Sequence, residues 1–91
     1  MKKAAKINVK GIVQGVFFRN YIKENAESLK LNGFVRNLNN NNVEIVIEGD
    51  IENVDKMCEL CKTGPKHAII KNVEAIEIPF QDFKDFKVLH I

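Results

Sequence analysis

Between residues 6 and 29 the hydrophobic period of the chain changes once, from two residues to nearly four, and the change falls across a stretch bracketed by Gly11 and Gly15. Residues 6–13 alternate, with Ile7, Val9 and Val13 on one side and Lys6, Asn8 and Lys10 on the other, as a half-buried strand does. From Phe18 onward, Phe18, Tyr21, Ile22, Ala26 and Leu29 recur at helical spacing. Asn32-Gly33 supplies a stop that accepts a left-handed conformation, so the first helix is predicted over about residues 18 to 31.

Residues 34–38 and 43–48 read as two strands separated by Asn39, Asn40, Asn41 and Asn42, which tolerate positive φ, and they are expected to pair as a hairpin. Gly49-Asp50 then opens a second helix. Asp50 is its expected N-cap, Glu52 lies in its first turn, and Ile51, Val54, Met57, Cys58 and Cys61 share one face until Thr63-Gly64-Pro65 ends it. Residues 70–80 are rich in β-branched side chains, but Val73 is out of phase with Ile76, Ile78 and Phe80, which suggests a bulge or a register change. Residues 86–90 can add an edge strand. The order β-α-β-β-α-β, with this fifth edge strand, predicts an α+β sandwich of the ferredoxin-like, split β-α-β kind: an antiparallel sheet with two helices on one face. Its 91 residues, 45% of them hydrophobic, suffice for a single domain over residues 1–91 and leave no room for a second core.

A net charge of +2 is too small for the dense basic face of a nucleic-acid binder. The third strand also lacks aromatics on which bases could stack and carries Glu44 and Glu48 instead, so no nucleic-acid partner is expected. No apolar stretch approaches the roughly 20 residues of a spanning helix. Met1-Lys2-Lys3-Ala4-Ala5 leads into no apolar leader segment, and the reading is a soluble, cytoplasmic monomer with no membrane partner. The distribution of charge says more than its sum. Lys2, Lys3, Lys6, Lys10, Arg19 and Lys23 all precede the first carboxylate, Glu24, which favours a local anion site in the first quarter of the chain.

Gly11 and Gly15 can let backbone N–H groups approach a ligand closely where strand passes into helix. The second helix places Asp50 and Glu52 at its start, whereas the first has no Ser, Thr or Asp there and no acid before Glu24. Its first N–H groups are therefore expected to suit an anion, and Arg19 in the first turn could add bidentate bonds to phosphate oxygens. Spacing alone leaves open the alternative of an ordinary glycine-containing turn beside a solvated arginine. Asn37 alternates with Arg36 along the second strand, and its amide can both donate to and accept from a water. The alternative for Asn37 is a turn-adjacent residue bonding its own backbone, and Arg36 reads as a solvated strand residue. Cys58 and Cys61 form a Cys-x-x-Cys pair, but redox and metal pairs sit at loops or helix starts. These two fall within a helix beside Val54 and Met57, so they are expected to pack in the core without a metal.

The run Gly11-x-Val13-Gln14-Gly15-Val16-x-Phe18-Arg19, followed by Gly33-Phe34-Val35-Arg36-Asn37, closely resembles the two signatures of the acylphosphatase family at the spacing that family uses. The resemblance covers essentially the whole chain, including Gly64-Pro65 after the second helix and the aromatic C-terminal strand. It implies hydrolysis of the carboxyl-phosphate bond of small acyl phosphates to a carboxylate and inorganic phosphate, with no metal or other cofactor. In those terms Arg19 matches the phosphate-binding arginine and Asn37 the asparagine that positions the attacking water. The backbone of Gln14, Gly15, Val16, Phe17 and Phe18 matches the phosphate-binding loop. Family sequences usually carry Trp where Phe34 stands and commonly a smaller residue at Phe17; neither difference touches a polar catalytic group, and both bear on substrate fit and rate.

An acyl phosphate already has a good leaving group, so positioning the water and stabilising the phosphoryl oxygens can suffice without a side-chain nucleophile. No strong general base is required, and His67 and His90 lie far from both motifs in sequence. The family precedent is that the substrate itself helps take the proton. The competing reading is a domain that holds a phosphorylated or carbamoylated group for another catalytic unit. Such domains normally belong to larger chains, and both Arg19 and Asn37 in a chain of 91 residues point to the enzyme.

Overall fold

The computed structural model describes residues 1–12, 16–38, 42–66 and 68–89, the side chains of Ile12 and Val16 excepted. The elements follow as β1 (Lys2–Ile12), α1 (Val16–Ser28), β2 (Asn32–Asn37), β3 (Asn42–Asp50), α2 (Ile51–Thr63), β4 (Ile69–Ile78) and β5 (Phe86–Leu89). The strands form one sheet in the order β4-β1-β3-β2-β5. The first four pair antiparallel in the expected split β-α-β order, but β5 joins β2 in parallel, so the sheet is mixed and not wholly antiparallel. Direction explains this. The chain leaves β4 at Ile78, in register with Ala4 of β1, which pairs with Glu48, which pairs with Asn32 at the start of β2. Crossing the sheet there, it enters β5 with Phe86 beside Gly33 and must run the same way as β2.

The alternation of the strands decides which side chains meet the helices. Ala5, Ile7 and Val9 of β1 stand in register with Ile47, Ile45 and Val43 of β3, and Val35 of β2 continues the row. These pack with Phe18, Ile22 and Ala26 of α1 and Val54, Met57 and Cys61 of α2 in one core. Each larger side chain so buried contributes about 1.5–3 kcal/mol. The Tyr21 hydroxyl of α1 donates to the Leu60 carbonyl of α2 at 3.3 Å, linking the helices above the sheet.

The opposite face of the sheet is partly covered as well, by the connection from β4 to β5. Gln81 N–H donates to Oε1 of Glu48 at 2.8 Å, and Phe83 N–H donates to Oε2 of the same carboxylate. Asn32 Nδ2 donates to the Phe83 carbonyl at 3.0 Å, and the rings of Phe34 and Phe83 meet edge to face at 5.9 Å. Glu48, read from sequence as one of two glutamates on a strand surface, is thereby buried to 2% exposure. This cover also explains why β1 begins earlier than the alternation suggested: Ala4 and Ala5 face opposite sides and both are buried.

Several boundaries move for local reasons. Helix α1 starts at Val16, two residues before the predicted start, and ends at Ser28. Its left-handed residue is Lys30 at φ 57°, not Asn32 or Gly33, which both belong to β2. Lys30 N–H donates to Glu27 O at 3.0 Å and Leu31 N–H to Ala26 O at 2.8 Å, the paired bonds of a Schellman ending. Asp50 does occupy the N-cap position of α2 in an extended conformation, but its side chain makes no capping hydrogen bond. Gly64 ends α2 as expected, with its N–H donating to Leu60 O at 2.9 Å.

In β4 the bulge falls at Lys71, the unpaired residue between Lys10↔Asn72 and Gly11↔Ile70, earlier than the phase break suggested. Val73 differs in phase from Ile76 and Ile78 because it faces the helices and they face the other way. Phe80 lies beyond the end of the strand. Of the predicted turn Asn39 to Asn42, Asn42 is the first residue of β3. Asn39 to Asn41, Val13 at the end of the first strand, His67, and His90 at the end of the last strand lie outside the described residues.

Candidate active site

The end of β1 is shaped first by packing. Gly11 has φ 148°, and a Cβ there would stand 2.0 Å from the Ile69 carbonyl oxygen of β4, so glycine is needed for the strands to close. This differs from the ligand approach expected of it. Gln14 and Gly15 lie outside the described residues, and Val16 is described as the first backbone position of α1. Phe17 and Phe18 follow in the first turn with opposite fates. Phe18 is buried in the core at 2% exposure, while Phe17 is 86% exposed.

The first turn of α1 contains no acidic residue, whereas that of α2 carries Glu52. The partial positive charge of the α1 N-terminus is therefore not offset by a carboxylate of its own first turn. Arg19 stands in this turn, partly exposed and engaged in an interaction within the protein.

Asn37 is the last residue of β2 and sits in register with Val43 of β3, which pairs with Val9 of β1. That row faces the helices, as Val9 and Val43 are fully buried beneath them. Because β2 runs in the direction of β1, its end lies at the edge of the sheet where β1 hands over to α1. Arg19 and Asn37, remote in sequence, thus belong to the same end and the same face of the sheet. The Asn37 Oδ1 is buried and accepts no hydrogen bond among the described residues. An unsatisfied buried acceptor costs about 1–3 kcal/mol, a cost that a bound donor would offset.

Neighbouring polar groups are settled differently. Arg36, expected to be a solvated strand residue, keeps 38% of its side chain exposed and also donates from Nε to Oε1 of Glu44 at 2.8 Å on the far face of the sheet, its guanidinium carbon 6.0 Å from the centre of the Phe34 ring. It is thereby turned away from the row of Asn37. Sequence reading passed over Asn42, whose Oδ1 is also buried without a partner among the described residues. It sits on the side opposite Asn37, and nothing in a run of four asparagines distinguished it from a turn residue.

Cys58 and Cys61 are both free thiols. Burial pushes the Cys58 thiol up, and burial with the neighbouring Cys58 pushes Cys61 up to about 12, so both stay protonated at neutral pH. Cys61 lies in the core and Cys58 packs against it, as expected for a packing role. Among the described residues there is no group of three or more His, Cys, Asp or Glu that could hold a metal ion, and no helix long and apolar enough to cross a membrane.

Fold and residue pattern define a class first: small α+β sandwiches in which β1 is followed by a helix whose first turn carries no acidic residue, with an asparagine ending β2 at the same end of the sheet. Comparison with known proteins narrows this. The acylphosphatase family model matches residues 5–88. The chain is 41% identical over 91 residues to an acylphosphatase of Syntrophus aciditrophicus, covering 99% of this chain and 95% of that one. An acylphosphatase structure from Coxiella burnetii superposes with a TM-score of 0.91 at 38% identity, covering 97% of this chain and 93% of that chain. The HypF structure from T. kodakarensis also superposes, with a TM-score of 0.82 at 38% identity over 100% of this chain, which corresponds to 12% of the larger protein. The chain belongs to the acylphosphatase family.

Proposed function

We propose that the protein hydrolyses the carboxyl-phosphate bond of small acyl phosphates, releasing a carboxylate and inorganic phosphate without a metal. The observation that carries this reading is the buried Oδ1 of Asn37, without a hydrogen-bond partner among the described residues, at the end of the sheet where α1 begins. A water donating to that oxygen gains an orientation and relieves the unsatisfied acceptor at once. The phosphoryl group is held by the amides of Gln14, Gly15, Val16, Phe17 and Phe18 and by the Arg19 guanidinium, which together balance its negative charge. Water on one side and a carboxylate leaving group on the other then stand in line across the phosphorus. The named acylphosphatases of Syntrophus aciditrophicus and Coxiella burnetii support the same chemistry.

The test is phosphate release from benzoyl phosphate by purified protein in the presence of a chelator. A rate well above that of buffer is expected. A rate equal to buffer, with inorganic phosphate still bound, would instead support a domain that holds its ligand for another catalytic unit.

A further inference from the structure

We propose that Arg36 and Glu44 are a positioning pair for the reaction, fixing from the far face of the sheet the alignment in which Asn37 presents its amide oxygen to the attacking water. This rests on the hydrolase reading and deepens it. Arg36 directly precedes Asn37 and stands opposite Glu44, while Asn37 stands opposite Val43. Nε of Arg36 donates to Oε1 of Glu44 at 2.8 Å, and the Glu44 side chain is only 11% exposed. The guanidinium carbon lies 6.0 Å from the centre of the Phe34 ring, which Phe83 meets edge to face. Just beyond Asn37, Leu38 N–H donates to the Asn42 carbonyl at 2.7 Å. Asn37 is thus held between a backbone bond and a charge-assisted side-chain bond, the second of the stronger kind.

The stability of the fold does not call for this pair. A largely buried ion pair can be replaced by apolar side chains of similar volume with little or no loss of stability. What apolar residues do not supply at this place, on the central strand of the sheet, is register. Val35 stands opposite Ile45 in the row Val43, Ile45 and Ile47, each of which would accept it, so the hydrophobic pattern forbids a slip of one residue but not of two. A slip of two sets Arg36 opposite Asn42 or Val46, leaves the Glu44 carboxylate without its donor, and moves Asn37 away from Val43. The pair therefore selects the one alignment that sets the amide at the end of the row.

The experiment is a double-mutant cycle on benzoyl phosphate with wild type, Arg36→Met, Asn37→Ala and the double variant, each also measured for denaturation midpoint and for inhibition by inorganic phosphate. Arg36→Met keeps an apolar stem and removes the donor. Its kcat is expected to fall about three- to tenfold with phosphate inhibition within about twofold of wild type, and Arg36→Lys should recover part of the loss. In the Asn37→Ala background the same substitution should cost no further activity, because the pair acts through the asparagine. Glu44→Gln, which keeps the shape and removes the charge, repeats the cycle from the other partner should Arg36→Met not fold. Lys62→Met, which breaks the exposed Lys62–Glu59 pair of α2, should leave kcat at the wild-type value. An unchanged kcat in folded Arg36→Met, or an equal fold-loss in both backgrounds, would overturn the assignment and leave the hydrolase reading standing. Wild-type turnover no faster than buffer would overturn the hydrolase reading and the positioning role with it.

Discussion

At the scale of single residues, two side chains with buried oxygens, Glu48 and Asn37, mark the difference between holding the fold and serving the proposed site. Glu48 is a charged group with its oxygens taken: Gln81 and Phe83 donate backbone N–H bonds to both. Its work is to hold the connection to β5. Asn37 has a buried acceptor that nothing among the described residues fills, and the fold gains nothing from leaving it so. Arg19 lies between these cases, engaged within the protein yet partly exposed in the first turn of α1. Substituting it tests the anion site by itself. In Arg19→Ala, inhibition by inorganic phosphate is expected to weaken at least about tenfold, since charge-assisted hydrogen bonds contribute ~1.5–3 kcal/mol each. Near-normal phosphate inhibition in a folded variant would remove Arg19 from the site.

Among the elements, α1 shows how tertiary packing overrides a local signal. Leu31 is buried to 1% exposure, and its N–H closes the helix on Ala26. Placing Leu31 in the core fixes where the helix must turn, and the left-handed conformation falls on Lys30, against the ordinary preference of a residue with a Cβ. Gly33, which suggested the stop, is needed inside β2 instead. A Cβ there would stand 1.9 Å from the Val46 carbonyl oxygen. Lys30→Gly is accordingly expected to raise stability by about 1 kcal/mol, read as a higher denaturation midpoint at unchanged slope. A lower midpoint would mean that Lys30 is held by more than its backbone. The helices and the first four strands were legible in the sequence because each carries a periodic apolar face. The exact ends were not, since they depend on which buried side chain the next element must reach.

For the molecule as a whole, the split β-α-β order could be read from the succession of periods, whereas the direction of β5 could not. It follows from a crossing held by Glu48, Asn32 and the Phe34–Phe83 contact, all distant from β5 in sequence or unremarkable in composition. For the proposed site the sequence singles out Arg19 and Asn37, but not the state of the Asn37 side chain. Only the packing of the row Val9, Val43 and Asn37 shows an amide whose oxygen is buried with no hydrogen-bond partner among the described residues.

In the proposed mechanism that amide is where binding and hydrolysis part. The most direct measurement is therefore phosphate release from benzoyl phosphate, in chelator, by wild type and Asn37→Ala at equal folded concentration, with inhibition by inorganic phosphate followed in parallel. Loss of the oriented water should lower kcat about a hundredfold while phosphate inhibition is retained. An Asn37→Ala variant that keeps the wild-type kcat and changes only KM would contradict the role given to the asparagine, and with it the proposed route to hydrolysis.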